Sequence, residues 1–168
     1  MDQSASSAHD VSALHETARG SRSLESSVLG LFRIVVGFLF LVHGTADLFG
    51  FPVTQWSGHR AAFASWPYWW AALIELVGGF LVMVGLGTRV AALICSGAMA
   101  YAYFTVHQPH GALPILNGGE PAALFCWAFL LIAAAGPGAF AVGSMLRSRG
   151  REGRVPGRRR RPTVAHPL

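Results

Sequence analysis

The sequence predicts an all-α fold: a four-helix transmembrane bundle with both termini on the cytoplasmic side. Three observations carry that prediction. Apolar residues fill 52% of the 168 positions and charged residues only 12%, about half the charged share of a typical soluble domain. The charges are also segregated. Residues 28–143 hold only Arg33, Arg60, Arg89, Asp47, Glu75 and Glu120, whereas residues 144–168 hold eight of the thirteen Arg. Finally, four apolar segments fill the middle region, each close to the roughly 20 helical residues that cross a hydrocarbon core.

The elements follow in order. Residues 1–27 are Ser-rich and of mixed charge, and are expected to form a disordered tail. The helices are expected at about 28–51, 68–86, 89–107 and 120–142. Transmembrane strands are excluded because no segment shows strict alternation over about ten residues. The 20 Gly suit helices that approach closely in lipid. The loop at 52–67 brings Trp56, Trp66, Tyr68, Trp69 and Trp70 near the membrane–water interface, where such rings belong. Gly87 and Thr88 form a tight turn, and Gly136-Pro137-Gly138 breaks the fourth helix. Residues 144–168 form a basic disordered tail.

Orientation follows from the arginines. Arg19, Arg22, Arg89 and the eight tail Arg lie on one side of this arrangement and Arg60 on the other, which places both termini inside. The tail is read as a topology determinant touching anionic lipid. A nucleic-acid partner is excluded, because the folded middle carries almost no basic residues. The lipid bilayer is the partner that composition demands.

Ionisable residues inside a membrane are costly, so each is a candidate site. Arg33, Gly37, Phe40, Gly44 and Asp47 recur at spacings of 4, 3, 4 and 3, which places them on one helix face. Arg33 either snorkels to the near interface or pairs internally. His43 precedes Asp47 by four residues, within hydrogen-bonding reach. The pair reads either as a proton-handling or ligand-binding site or as a polar cap at the helix end. Glu75 is the strongest single residue, near the bilayer middle on a face with Ala71, Gly78, Gly79, Val82 and Gly85. It reads either as a protonatable group beside a quinone-like ligand or as an interhelix hydrogen bond, with His43, Tyr101 and Tyr103 as candidate neighbours. His107 and His110 are too few to hold a metal, and no haem-attachment motif is present; neither metal nor haem is expected. Cys95 and Cys126 are placed about 10 Å apart in depth by helical rise, too far for a disulfide.

These pieces together resemble the DoxX family of small four-helix bacterial membrane proteins. The likeness covers residues 29–140. LFRIVVGFLFLVHGTADLFGFP is similar to the family's first helix. ELVGGFLVMVGLGTRVAAL is similar to its second helix and turn, and HQPHGALPILNGGEPAALFCWAFLLIAAAGPG to the entrance and end of its fourth. Two positions depart from the family pattern: Asp47 stands where Lys is common, and no acid follows Gly-Pro-Gly in the usual Ser-x-Asp position. The resemblance implies the bacterial cytoplasmic membrane, redox chemistry and redox protein partners, since relatives include a subunit of a thiosulfate:quinone oxidoreductase. It carries over Arg33, His43, Glu75 and Glu120 as site positions.

The leading functional expectation is therefore a membrane subunit of a quinone-linked oxidoreductase, not active alone. Glu75 and His43 would exchange protons, and Arg33, Asp47, Tyr103, His107 and Glu120 would line the ligand site. Two alternatives stand beside it. One is a non-catalytic scaffold that recruits soluble redox enzymes through the tail and loops. The other is a small-solute permease, which would need a homo-oligomer because four helices are few and no inverted repeat is evident.

Overall fold

The computed structural model describes residues 3–53 and 60–146, with residues 3–19 described by backbone alone. Trp56 and the arginine-rich segment from 147 onward lie outside the described residues. The described chain is all-helical. Helix α1 runs Gln3–Phe49, α2 Tyr68–Val84 and α3 Thr88–Ala102. A π-helical turn at Tyr103–His107 and a 3-10 turn at Gln108–His110 prolong α3. Short α4 (Pro114–Asn117) then leads into α5, Glu120–Ala135.

Two stretches are long and apolar enough to cross a membrane: Gly20–Phe49 with 30 residues and Thr88–His110 with 23. Tyr68–Val84 and Glu120–Ala135 are apolar but shorter, at 17 and 16 residues. The predicted start near residue 28 and end near residue 142 are thus both displaced. Helix α1 begins at Gln3 rather than after a disordered tail. No proline interrupts residues 3–49, and Ser21 Oγ donates to Glu25 Oε1 at 3.2 Å one turn later, so nothing local stops the helix. Helix α5 ends early because Gly136 takes a φ of 99° and Pro137 follows, a combination that cannot continue a helix.

Packing is pairwise: α1 lies chiefly on α2, α3 on α5, and α2 joins the two pairs through α3. The α1–α2 seam is made by missing side chains. A Cβ on Gly37 would stand 2.6 Å from Met83 N and 2.8 Å from Gly79 O. A Cβ on Gly79 would stand 2.6 Å from Leu41 N. Backbones therefore touch, as small residues permit. The predicted single face of α1 is divided between two neighbours. Gly37 and Gly44 meet α2, while Phe40 turns to α5, its ring 4.6 Å from Phe129 and 5.3 Å from Phe125.

The end of the molecule that holds the α2–α3 turn is closed by residues 136–143. Ala139 N donates to Ser26 O at 2.9 Å and Gly143 N to Gly85 O at 3.2 Å. Arg33 lies fully buried inside this closure. Its Nε donates to Pro137 O at 2.8 Å, and Nη1 to Val82 O at 2.5 Å and Met83 O at 2.6 Å. Its Nη2 faces Phe140 O at 3.2 Å and Ala139 O at 3.4 Å. A guanidinium has five N–H donors, and backbone carbonyls receive all of them. Two of those carbonyls belong to the last turn of α2, where partners are otherwise missing and a cation is favoured.

Candidate functional site

The opposite half of the molecule holds Asp47 and Glu75. Helix α1 carries His43 and Asp47 toward its end, and α2 presents Glu75 two turns from its start. Gly44 lets α2 come close here: a Cβ on it would meet Leu76 N and stand 2.8 Å from Ala72 O. That approach brings Asp47 and Glu75 near enough for their charges to act on each other, and likewise His43 and Asp47. Glu75 Oε2 is buried and has no hydrogen-bond partner. A buried acceptor left unpaired is costly and uncommon, so it calls for an explanation.

The surroundings are apolar on one side and polar on the other. His43 lies edge-on to Phe125 of α5, ring centres 5.7 Å apart, and Phe125 stacks on Phe129 at 6.0 Å. His43 remains exposed and Asp47 half-buried. The cluster thus runs from a buried carboxyl to an accessible imidazole. Among the described residues no three His, Cys, Asp or Glu side chains converge as a metal-binding set.

The other predicted site residues lie elsewhere. Arg33 is in the closure described above, almost three helical turns before His43 on α1. Tyr103 and His107 belong to the connection between α3 and α5, and Glu120 opens α5. There Gly119 lies against the Tyr103 ring, so that a Cβ on it would stand 2.8 Å away. His107 Nδ1 is 3.2 Å from Asn117 O. Glu120 is exposed at the first turn of α5, where a carboxylate suits the helix dipole. Asn117 ties this connection together: Nδ2 donates to Gly111 O at 2.7 Å and Oδ1 accepts from Gly119 N at 2.8 Å. Asn117→Ala removes both bonds and is expected to lower stability by about 2 kcal/mol. An unaltered thermal unfolding midpoint would show that the connection does not depend on them.

Cys95 was not among the predicted site residues. It is fully buried on α3, and a Cβ on Gly78 of α2 would strike its sulfur. Glu75 acts on it electrostatically. The signal in the sequence was Gly78, three residues after Glu75, which leaves room for a neighbour of that size. The depth placement of the cysteines also changes. Ser96 Oγ donates to Cys126 O at 2.9 Å and lies 3.5 Å from its sulfur, so Cys95 and Cys126 occupy similar levels. The shortness of α5 draws Cys126 toward the Arg33 end. Both cysteines are free.

Comparison with known proteins places these residues in context. The family model described as DoxX matches residues 28–108, which span α1 from Val28, α2, α3 and the π turn. A protein of Haemophilus influenzae, named "Uncharacterized protein", is 42% identical over 117 residues, covering 68% of this chain and 87% of its own length. A Bacillus subtilis protein named "Putative oxidoreductase CatD" is 33% identical over 86 residues, covering 51% of this chain and 63% of its own length. No solved structure matches the chain.

Proposed function

The chain belongs to the DoxX family of membrane proteins, and on that premise we propose that it is the membrane subunit of a quinone-linked oxidoreductase. In this reading the apolar helices α1, α2, α3 with its extension, and α5 cross the bacterial cytoplasmic membrane as a four-helix bundle. Both termini lie inside, and a soluble redox protein supplies the electrons. The observation that carries the reading is the buried, unpartnered Glu75 Oε2 among apolar helices. An intramembrane carboxyl of this kind is a functional candidate by default. The oxidoreductase name of the Bacillus subtilis relative points the same way.

The residues fit a quinone ring. The half-buried Phe125 offers an aromatic ring, and Glu75 offers an oxygen with nothing else to bind. Reduction of a quinone to a quinol takes up two electrons and two protons. Protonated Glu75 donates a hydrogen bond to a quinone carbonyl and passes its proton to that oxygen as the electrons arrive. Asp47 and then the exposed His43 return a proton to Glu75 from the water side. The second proton goes to the ring's other carbonyl oxygen, which Glu75 does not reach, and is taken up from the water side. Each transfer is general acid catalysis, which commonly contributes about 10²-fold or more.

Glu75→Gln keeps the side-chain shape and carries no exchangeable acid proton. It is expected to reduce quinone reduction by the protein and its native partners about 100-fold while leaving quinone binding within a few-fold. An unchanged rate in a folded Glu75→Gln protein overturns the proposal. So does purified wild type that neither retains nor binds quinone.

A further inference from the structure

We propose that the short helix α4 and the chain around it are sunk in the outer leaflet, with Leu113, Ile115 and Leu116 against acyl chains, rather than standing in water as a loop. The inference rests on the four crossings proposed above and is independent of the quinone.

The crossings differ in length. Helix α3 with its two extending turns runs 23 residues, Thr88–His110, whereas α5 has 16. At about 1.5 Å per residue α5 spans about 24 Å, short of the roughly 30 Å of a hydrocarbon core. The two helices are not level at the outer end. Gly119, which precedes α5, packs on the ring of Tyr103. Tyr103 lies seven residues before His110, about 10 Å down the helix. Helix α5 therefore starts beside the π turn, and residues 111–119 descend alongside the extension of α3. His107 Nδ1, 3.2 Å from Asn117 O, ties the two together. Helix α4 supplies the apolar cover that the missing length of α5 leaves open.

The descending chain is apolar outside and bonded inside. GALPILNGG, residues 111–119, holds no charged group. Leu113, Ile115 and Leu116 are 57%, 72% and 74% exposed, which water disfavours and hydrocarbon accepts. Leu113 O accepts from Leu116 N and Asn117 N, Pro114 O from Gly119 N, and Gly111 O from Asn117 Nδ2. Pro114 has no N–H to leave unpaired. Non-helical chain at membrane depth needs such internal partners, whereas a loop in water does not. The elements on either side carry exposed apolar residues at the same level. Phe104 of the π turn and Leu124 in the second turn of α5 are 60% and 71% exposed. Lipid around α4 is thus continuous with lipid along both neighbours. The polar run HQPH, residues 107–110, stands at the rim where headgroups and water begin.

The test places a nitroxide on the full chain in lipid nanodiscs through Gln108→Cys, Ile115→Cys, Leu116→Cys or Leu131→Cys, one at a time. All four side chains are exposed, so the replacements leave the interior intact. Cys126→Ala removes one native thiol, and buried Cys95 is out of the reagent's reach. Collision with oxygen, which concentrates among acyl chains, is compared with collision with an uncharged nickel chelate, which stays in water. Leu131, deep in α5, is the lipid reference and Gln108 the water reference. The ratio of oxygen to nickel collision at 115 and 116 is expected to match that at 131 and to exceed that at 108 about threefold or more. A ratio at 115 and 116 that matches 108 overturns this inference and leaves the crossing helices standing. Little collision with either reagent at 115 and 116 overturns it too, since a second copy or another protein then covers the segment. A ratio at 131 no higher than at 108 overturns the crossing of α5 and this inference together.

Discussion

Arg33→Leu is expected to leave almost no folded protein in the membrane. The guanidinium is fully buried and its three shortest bonds, to Pro137, Val82 and Met83, measure 2.8, 2.5 and 2.6 Å. A hydrogen bond from a charged donor is worth about 1.5–3 kcal/mol, so losing these three removes about 5 kcal/mol or more. That equals the whole margin of many folded proteins. Leucine also leaves the carbonyls stranded where no water reaches them. Arg33→Lys restores the charge through a single nitrogen. It cannot reach α2 and the 136–140 segment with the same fork, and is expected to recover only part of the loss. Membrane yield and thermal unfolding of the three proteins check this. A leucine variant with the wild-type midpoint would show that the carbonyls find other partners.

The second large effect concerns the α1–α2 seam. Gly44→Ala drives a methyl group into the α2 backbone at Leu76 and Ala72, and Gly79→Ala does the same to α1 at Leu41. Backbone cannot rotate aside as a side chain can, so each is expected to cost about 3 kcal/mol. The two replacements act on one seam. Once the first has spread the helices the second meets less resistance, and the double variant should lose less than the two separate losses combined. Gly97→Ala is the control. A Cβ there meets nothing within 4 Å on α3, and better helix propensity should raise stability by up to about 1 kcal/mol. If Gly44→Ala behaves like Gly97→Ala, the two backbones do not touch. The seam also sets the site, because the variants that spread it move Asp47 away from Glu75.

Much of the architecture was legible as hydropathy. The four apolar stretches are helical in the structure, though the first begins earlier and the last ends sooner than expected, and the breaks at Gly87 and Gly136-Pro137 were visible as residues that interrupt a helix. Glu75 was legible too, as an acid in an apolar run with Gly78 and Gly79 beside it. Which helices those glycines would meet was not, since a missing side chain marks closeness without naming the neighbour: Gly79 faces α1 and Gly78 faces Cys95 of α3. The partners of Arg33 left no mark at all. Sequence reading looks for a carboxylate opposite a buried cation, and every residue has the carbonyl that Arg33 uses. The helical path of residues 3–27 was hidden for a related reason. Their polarity spoke against burial, which is a separate matter from helix formation.

The buried arginine also imposes an order of events on biosynthesis. Its acceptors lie 49 to 107 positions further along the chain. Helix α1 leaves the ribosome first, yet three of the five carbonyls that receive Arg33, those of Pro137, Ala139 and Phe140, are made only after α5. Until then the charge belongs in water or in the insertion machinery, since a lone arginine within hydrocarbon is unfavourable. The first helix made is therefore the last to settle. A chain interrupted before Pro137 would present an unfinished product that quality control can recognise by one unpaired charge.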